Sequence, residues 1–176
     1  MASFIVTGAP GAGKTTLLDA LAERGFPVVA EAATDIIAAA QRAGIARPWE
    51  QTDFIASIMA LQMARMKAAP DGALHDRSVI CTLALCRFLE QPVPPELLQA
   101  CTAAQEHFAP QVFFLRLLGF MTASDARKIS YEESQRFEGY HEAAYREFGF
   151  MLVDIPAAPV ADRATLVAKT VRAQTR

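Results

Sequence analysis

The chain has 176 residues, the size of one domain, with no room for a second full core. At 52% hydrophobic and 20% charged residues it reads as globular, and a net charge of −2 leaves no cationic surplus for a nucleic-acid backbone. Cys81, Cys86 and Cys101 lack the paired spacing of a zinc site and read as buried thiols of a reducing compartment. No apolar run approaches the roughly 20 residues that span a bilayer. The N-terminus opens into a strand without a basic leader, so a soluble cytoplasmic protein is expected.

Short apolar runs of β type alternate with longer helical patterns, the signature of a parallel α/β sheet. Ser3 to Thr7 reads as a first strand buried on both faces, followed by a helix from Lys14 to Arg24 that Gly25 closes. Phe26 to Ala30 is a second strand, and Glu31 to Ala43 a helix ended by Gly44. Trp49 to Lys67 carries the longest helical periodicity, through Phe54, Ile58 and Leu61. After the turn Pro70-Asp71-Gly72, Ala73 to His75 reads as a third strand and Val79 to Leu89 as a helix. A helix from Glu96 to His107 precedes a fourth strand, Gln111 to Leu115. A polar stretch from Arg116 to Arg136 runs on as a helix through Phe148, closed by Gly149. Phe150 to Ile155 is the last strand and Val160 to Val171 the terminal helix.

Between the first strand and its helix stands Gly8-Ala9-Pro10-Gly11-Ala12-Gly13-Lys14-Thr15-Thr16, which fits the phosphate-cradling pattern Gly-x4-Gly-Lys-Thr in its proper setting. Glycines let the backbone N–H groups turn inward onto phosphate oxygens, and the positive end of the following helix adds to the attraction. Lys14 would reach the β- and γ-phosphates, and the Thr15 hydroxyl would ligate Mg²⁺. The motif predicts a bound nucleoside triphosphate. Without an Asn/Thr-Lys-x-Asp element to select guanine, ATP is expected.

In parallel sheets, ligands lie at the carboxyl ends of the strands. Asp76 and Arg77 end the third strand there, as a metal-side carboxylate and an anion clamp, or as no more than a polar turn with a local ion pair. Glu31 ends the second strand at the same edge. It reads either as a base for an acceptor hydroxyl or as a carboxylate drawn to a helix N-terminus. Arg127 and Lys128, with Arg116 and Arg136, lie on a candidate lid over residues 116–136; the alternative is a solvated face partnered by Glu132 and Glu133. Trp49 lines a substrate cavity or merely packs, and His75 is expected to be a packed strand residue.

Four stretches together, Thr7 to Thr16, Val29 to Ala33, Asp76-Arg77 and Tyr145 to Val153, resemble the small AAA-type predicted ATPases, over nearly the whole chain. That bacterial family is similar to nucleoside and nicotinamide riboside kinases in its P-loop core. Two of the stretches also look like deoxynucleoside kinases, which implies Glu31 as base, Asp76 as metal-side carboxylate and Arg77 as clamp. Such relatives carry a proline- and aromatic-rich segment after the fourth strand, whereas Arg116-Leu117-Leu118-Gly119-Phe120 stands here.

The reading is thus one three-layer P-loop NTPase domain over residues 1–176, of the nucleoside/NMP-kinase type. Its five-stranded parallel sheet has the expected order 2-3-1-4-5. The expected activity is Mg²⁺-dependent phosphoryl transfer from ATP to a hydroxyl of a small, nucleoside-like molecule, with Lys14, Glu31, Asp76, Arg77 and Arg127 as catalytic groups. The alternative is an ATPase switch that acts through a protein partner. Neither nucleic acid nor membrane is expected as a partner, and the sequence does not determine the oligomeric state.

Overall fold

The computed structural model describes residues 2–117 and 130–174. Five strands, β1 (Ser3–Thr7), β2 (Val28–Val29), β3 (Leu74–Asp76), β4 (Phe108–Leu115) and β5 (Met151–Ile155), form one sheet in the order β2-β3-β1-β4-β5. All neighbours run parallel, so the expected topology holds. The connections are α1 (Lys14–Ala22), α2 (Ala32–Arg42), α3 (Phe54–Ala68), α4 (Val79–Phe88), α5 (Pro95–His107) and α6 (Tyr131–Glu147), and α7 (Val160–Gln174) follows β5.

Alternation along the central strands builds the layers. Phe4 and Val6 of β1 and Phe113 and Leu115 of β4 point to one face, where they pack with Leu17, Leu21, Val167 and Val171 of α1 and α7. Ile5 and Val112 point to the other, against a core drawn from α2 to α6. Both faces of β1 are covered, so all five of its residues are buried apolar or hydroxyl side chains.

Several element bounds depart from the sequence reading, and four of the departures bear on the sheet edge or the site. The second strand shrinks from five residues to two, because it lies at the sheet edge and pairs only with β3, and because Pro27 has no N–H to donate. The third shifts by one residue, so that Asp76 belongs to the strand and pairs with Val6. The helix expected from Trp49 divides into a 3₁₀ turn, Pro48–Glu50, and α3; Gln51, in extended conformation, ends the turn. The fourth strand begins at Phe108, and its register against β1 is irregular between Ser3 and Ile5, opposite the stretch holding Pro110. Downstream, α6 starts at Tyr131, where Ser130 and Glu133 form a capping box. Among the described residues no helix is long and apolar enough to cross a membrane.

His75 packs as expected, edge-on against Phe108 at 4.9 Å between ring centroids. Burial pushes its pKa down to about 4, and burial likewise lowers His107 and His141, so that all three histidines of the chain are held below the ordinary value. Unfolded, each titrates near about 6.5, so between there and about 4 the unfolded chain binds more protons and stability rises with pH. This contribution is complete above about 6.5 and is lost on acidification. Thermal unfolding should therefore show Tm falling from neutral pH towards about pH 5, and His75→Leu should flatten part of that slope. An unchanged slope in the variant would mean that His75 is not held neutral.

Candidate functional site

Gly8 leaves β1 at φ +140°, and a Cβ there would stand 2.3 Å from the carbonyl oxygen of Leu115. Only glycine lets the loop cross β4 this closely. Gly11 and Gly13 also have positive φ, so the chain turns back on itself before α1. Gly13 occupies the α1 N-cap without a side-chain cap, and no acidic residue lies in the first turn, so α1 supplies no carboxylate of its own to the amides at its start. Lys14 is buried, and its Nζ donates to the Ala9 carbonyl at 3.2 Å, inside the curve of the loop. Thr15 and Thr16 are exposed beside it. Behind the loop, the buried Arg163 of α7 donates from Nη1 to the Ala12 carbonyl at 3.2 Å.

Glu31 and Arg77 meet. Arg77 Nε lies 2.7 Å from Glu31 Oε1, with the two side chains 5% and 15% exposed, so this is a buried pair rather than a surface one. Thr34 donates to the other carboxylate oxygen at 2.6 Å. Glu31 stands at the N-cap of α2 but makes no side-chain cap hydrogen bond; Arg77 and Thr34 hold it instead. Arg77 itself has φ +71°, a left-handed backbone unusual for a residue with a Cβ, while its N–H donates to Val6 at 3.0 Å. Burial works against the Arg77 charge, but the Glu31 carboxylate, with Cys81 and Asp76, outweighs it and raises the guanidinium's pKa.

Residues to which the sequence reading gives no role complete the surroundings. Arg77 Nη1 lies 2.8 Å from His141 Nε2. Ser78, the N-cap of α4, and Cys81 both bond the Tyr145 hydroxyl, at 2.9 and 3.1 Å, and Thr7 reaches Cys81 at 3.1 Å. Gln62 donates to the Ser78 carbonyl and accepts from Thr82. Phe137, His141 and Tyr145 recur every four residues along α6, and that spacing is the one signal that could have marked them.

The Glu31–Arg77 pair lines a small cleft with Gln62, Leu85 and Phe137. Leu85 and Phe137 also line a cavity of about 330 Å³, walled by Trp49, Phe54 and Phe88, with Pro10 of the loop at one side and Arg47 and Glu133 among its lining. Trp49 lines this cavity and also packs, half-buried, against the hydrophobic core. The expected lid cations divide. Arg127 and Lys128 lie outside the described residues. Arg136 belongs to α6, its guanidinium 5.7 Å from the centre of the Phe88 ring. Arg116 is engaged by Glu138, Glu142 and Asp154.

A family model described as an AAA domain matches residues 3–163. The chain belongs to this AAA-domain family. No curated protein matches the sequence. Among solved structures, deoxyadenosine kinase from M. mycoides, with dCMP and dCDP bound, is similar at 14% identity and TM-score 0.66, over 97% of this chain and 99% of that one. Shikimate kinase from Acinetobacter baumannii, in complex with shikimate, is 14% identical with TM-score 0.61, over 99% and 94%. Thymidylate kinase from Candida albicans is 12% identical with TM-score 0.60, over 99% and 92%. The AAA-domain chain therefore has the fold of the P-loop small-molecule and nucleotide kinases.

Removing one partner of a buried ion pair strands the other charge, which costs about 3–5 kcal/mol, against about 1 kcal/mol or less for an exposed pair. In denaturant titrations, Arg77→Met should lower unfolding stability by about 3 kcal/mol or more, and adding Glu31→Leu should recover part of the loss. A loss below about 1 kcal/mol would show that the pair is effectively solvated.

Proposed function

We propose that this protein is an ATP-dependent kinase that transfers the γ-phosphoryl group to a hydroxyl of a small, ring-bearing molecule of nucleoside-like shape. The observation that carries the reading is the aromatic cavity, which lies between Pro10 of the phosphate loop and the Glu31–Arg77 cleft, sharing Leu85 and Phe137 with the latter. Aromatic walls favour a flat ring by stacking. Kinases of this fold bind chemically different molecules, shikimate in one neighbour and the products dCMP and dCDP in another, so the cavity rather than the fold supports the choice.

In this reading the loop amides of residues 8–16 and Lys14 bind the triphosphate, and Lys14 exchanges the Ala9 carbonyl for phosphate oxygens. Glu31 receives the proton of the acceptor hydroxyl. A carboxylate has about four acceptor positions, so its bonds to Arg77 and Thr34 are compatible with that role. Arg77 holds Glu31 towards the cleft and adds positive charge near the transferring group. Arg127 and Lys128 act as lid cations over the phosphates.

Thr15 and Asp76 are the hard oxygen donors that suit Mg²⁺, and among the described residues no group of three or more His, Cys, Asp or Glu could hold a metal by itself. That donor set fits an ion carried in by the nucleotide and shared with its phosphates. When bound, Mg²⁺ neutralises developing charge on the β- and γ-oxygens. With no covalent intermediate, positioning and electrostatics account for the rate.

The test is ADP release from ATP and Mg²⁺ across a panel of nucleosides and other hydroxyl-bearing ring compounds. Release that depends on one acceptor class, with the phosphorylated product detected, is the expected result. Hydrolysis indifferent to every acceptor would favour an ATPase switch instead. Glu31→Gln should lower acceptor phosphorylation by about 10²-fold or more while ATP still binds.

A further inference from the structure

His141 is fully buried on α6, between Arg77 and the carbonyl of Phe137 four residues earlier. Its Nδ1 is 3.0 Å from that carbonyl oxygen, which can only accept, so Nδ1 carries the proton. Neutral imidazole then has its lone pair on Nε2, 2.8 Å from Arg77 Nη1, and a guanidinium can only donate. Both contacts are satisfied by one tautomer and one charge state.

Resting on the kinase reading above, we infer that neutral His141 is a positioning residue, which accepts a hydrogen bond from Arg77 and so holds the guanidinium with its Nε towards Glu31. Three features support this. Arg77 has a left-handed backbone at φ +71°, a strained conformation for a residue with a Cβ that persists only where surrounding contacts enforce it. The guanidinium is 5% exposed, so water does not replace a lost acceptor. Phe137, one turn earlier, lines both the cleft and the aromatic cavity and lies 4.2 Å from the His141 ring centre, so α6 sets the cavity wall and the Arg77 acceptor together.

Protonation would undo the arrangement. The charged groups facing the imidazole are Arg77 after β3, Lys14 at the start of α1, and Glu31 before α2. Burial first, then the Arg77 and Lys14 cations, lower the His141 pKa well below its ordinary value; the Phe137 carbonyl and Glu31 oppose this only in part. An imidazolium would offer Arg77 a second donor where it needs an acceptor.

Two measurements test the inference. Nitrogen-detected NMR of the ligand-free wild-type protein should show His141 as the Nδ1-protonated tautomer, with no titration between about pH 5 and 8. An Nε2-protonated ring, or an ordinary titration, would overturn the assignment whatever the enzyme does. In steady-state kinetics, His141→Leu should lower kcat for acceptor phosphorylation on the order of 10–100-fold, since a displacement of about 1 Å costs as much as 10²-fold, and leave ATP affinity unchanged. His141→Gln, whose amide can accept from Arg77, should restore most of it. Unchanged kcat in His141→Leu would refute the role, as would ATP affinity falling in parallel or a Gln variant no better than Leu. A wild-type protein that phosphorylates no acceptor would count against the kinase reading instead, while the ring tautomer would still decide the part played by His141.

Discussion

A guanidinium buried at the carboxyl edge of a parallel sheet must be surrounded by acceptors, because an uncompensated charge in that setting costs several kcal/mol. Arg77 imposes this condition. Its charge draws in Glu31 from the start of α2 and His141 from the middle of α6, segments far apart in the chain. Its left-handed backbone follows directly from the last residue of β3, where the N–H still bonds to Val6. The cleft and the placement of Glu31 depend on meeting that requirement, and it sets which residue of α6 faces Arg77.

The phosphate loop is a separate construction with a different logic. Its conformation comes from backbone freedom at Gly8, where the Leu115 carbonyl leaves no space for a side chain. Lys14 then curls onto the Ala9 carbonyl, and Arg163 braces Ala12 from behind. One half of the site is thus shaped by the absence of side chains and the other by the burial of charged ones. The aromatic cavity lies between them, with Pro10 contributed by the loop and Phe137 shared with the cleft.

The hydroxyls and thiol of Thr7, Ser78, Cys81 and Tyr145 tie the ends of β1 and β3 to α4 and α6. Burial, with Cys81 next in effect, raises the Tyr145 pKa well above its ordinary value, so the phenol stays protonated and can donate. Deep in a core, such groups bond to one another because no water is at hand. This network keeps the carboxyl edge of the sheet in register with the helix that carries His141.

The sequence by itself determined the phosphate loop, the alternation of strands and helices and the strand ends that carry Glu31, Asp76 and Arg77, because these follow from local rules of glycine spacing and apolar periodicity, while the sheet order was what the resemblance to P-loop kinases implied. Where local rules met edge effects, the bounds moved, as in the two-residue β2 and the break after Trp49. Only the tertiary structure decided that Glu31 and Arg77 are partners, that Arg116 is taken up by Glu138, Glu142 and Asp154, and that His141 stands behind Arg77. Those contacts join residues 38 to 64 positions apart, or 22 and 26 in the case of Arg116 with α6. No periodicity encodes them, since they depend on which helix faces come together once the sheet has formed.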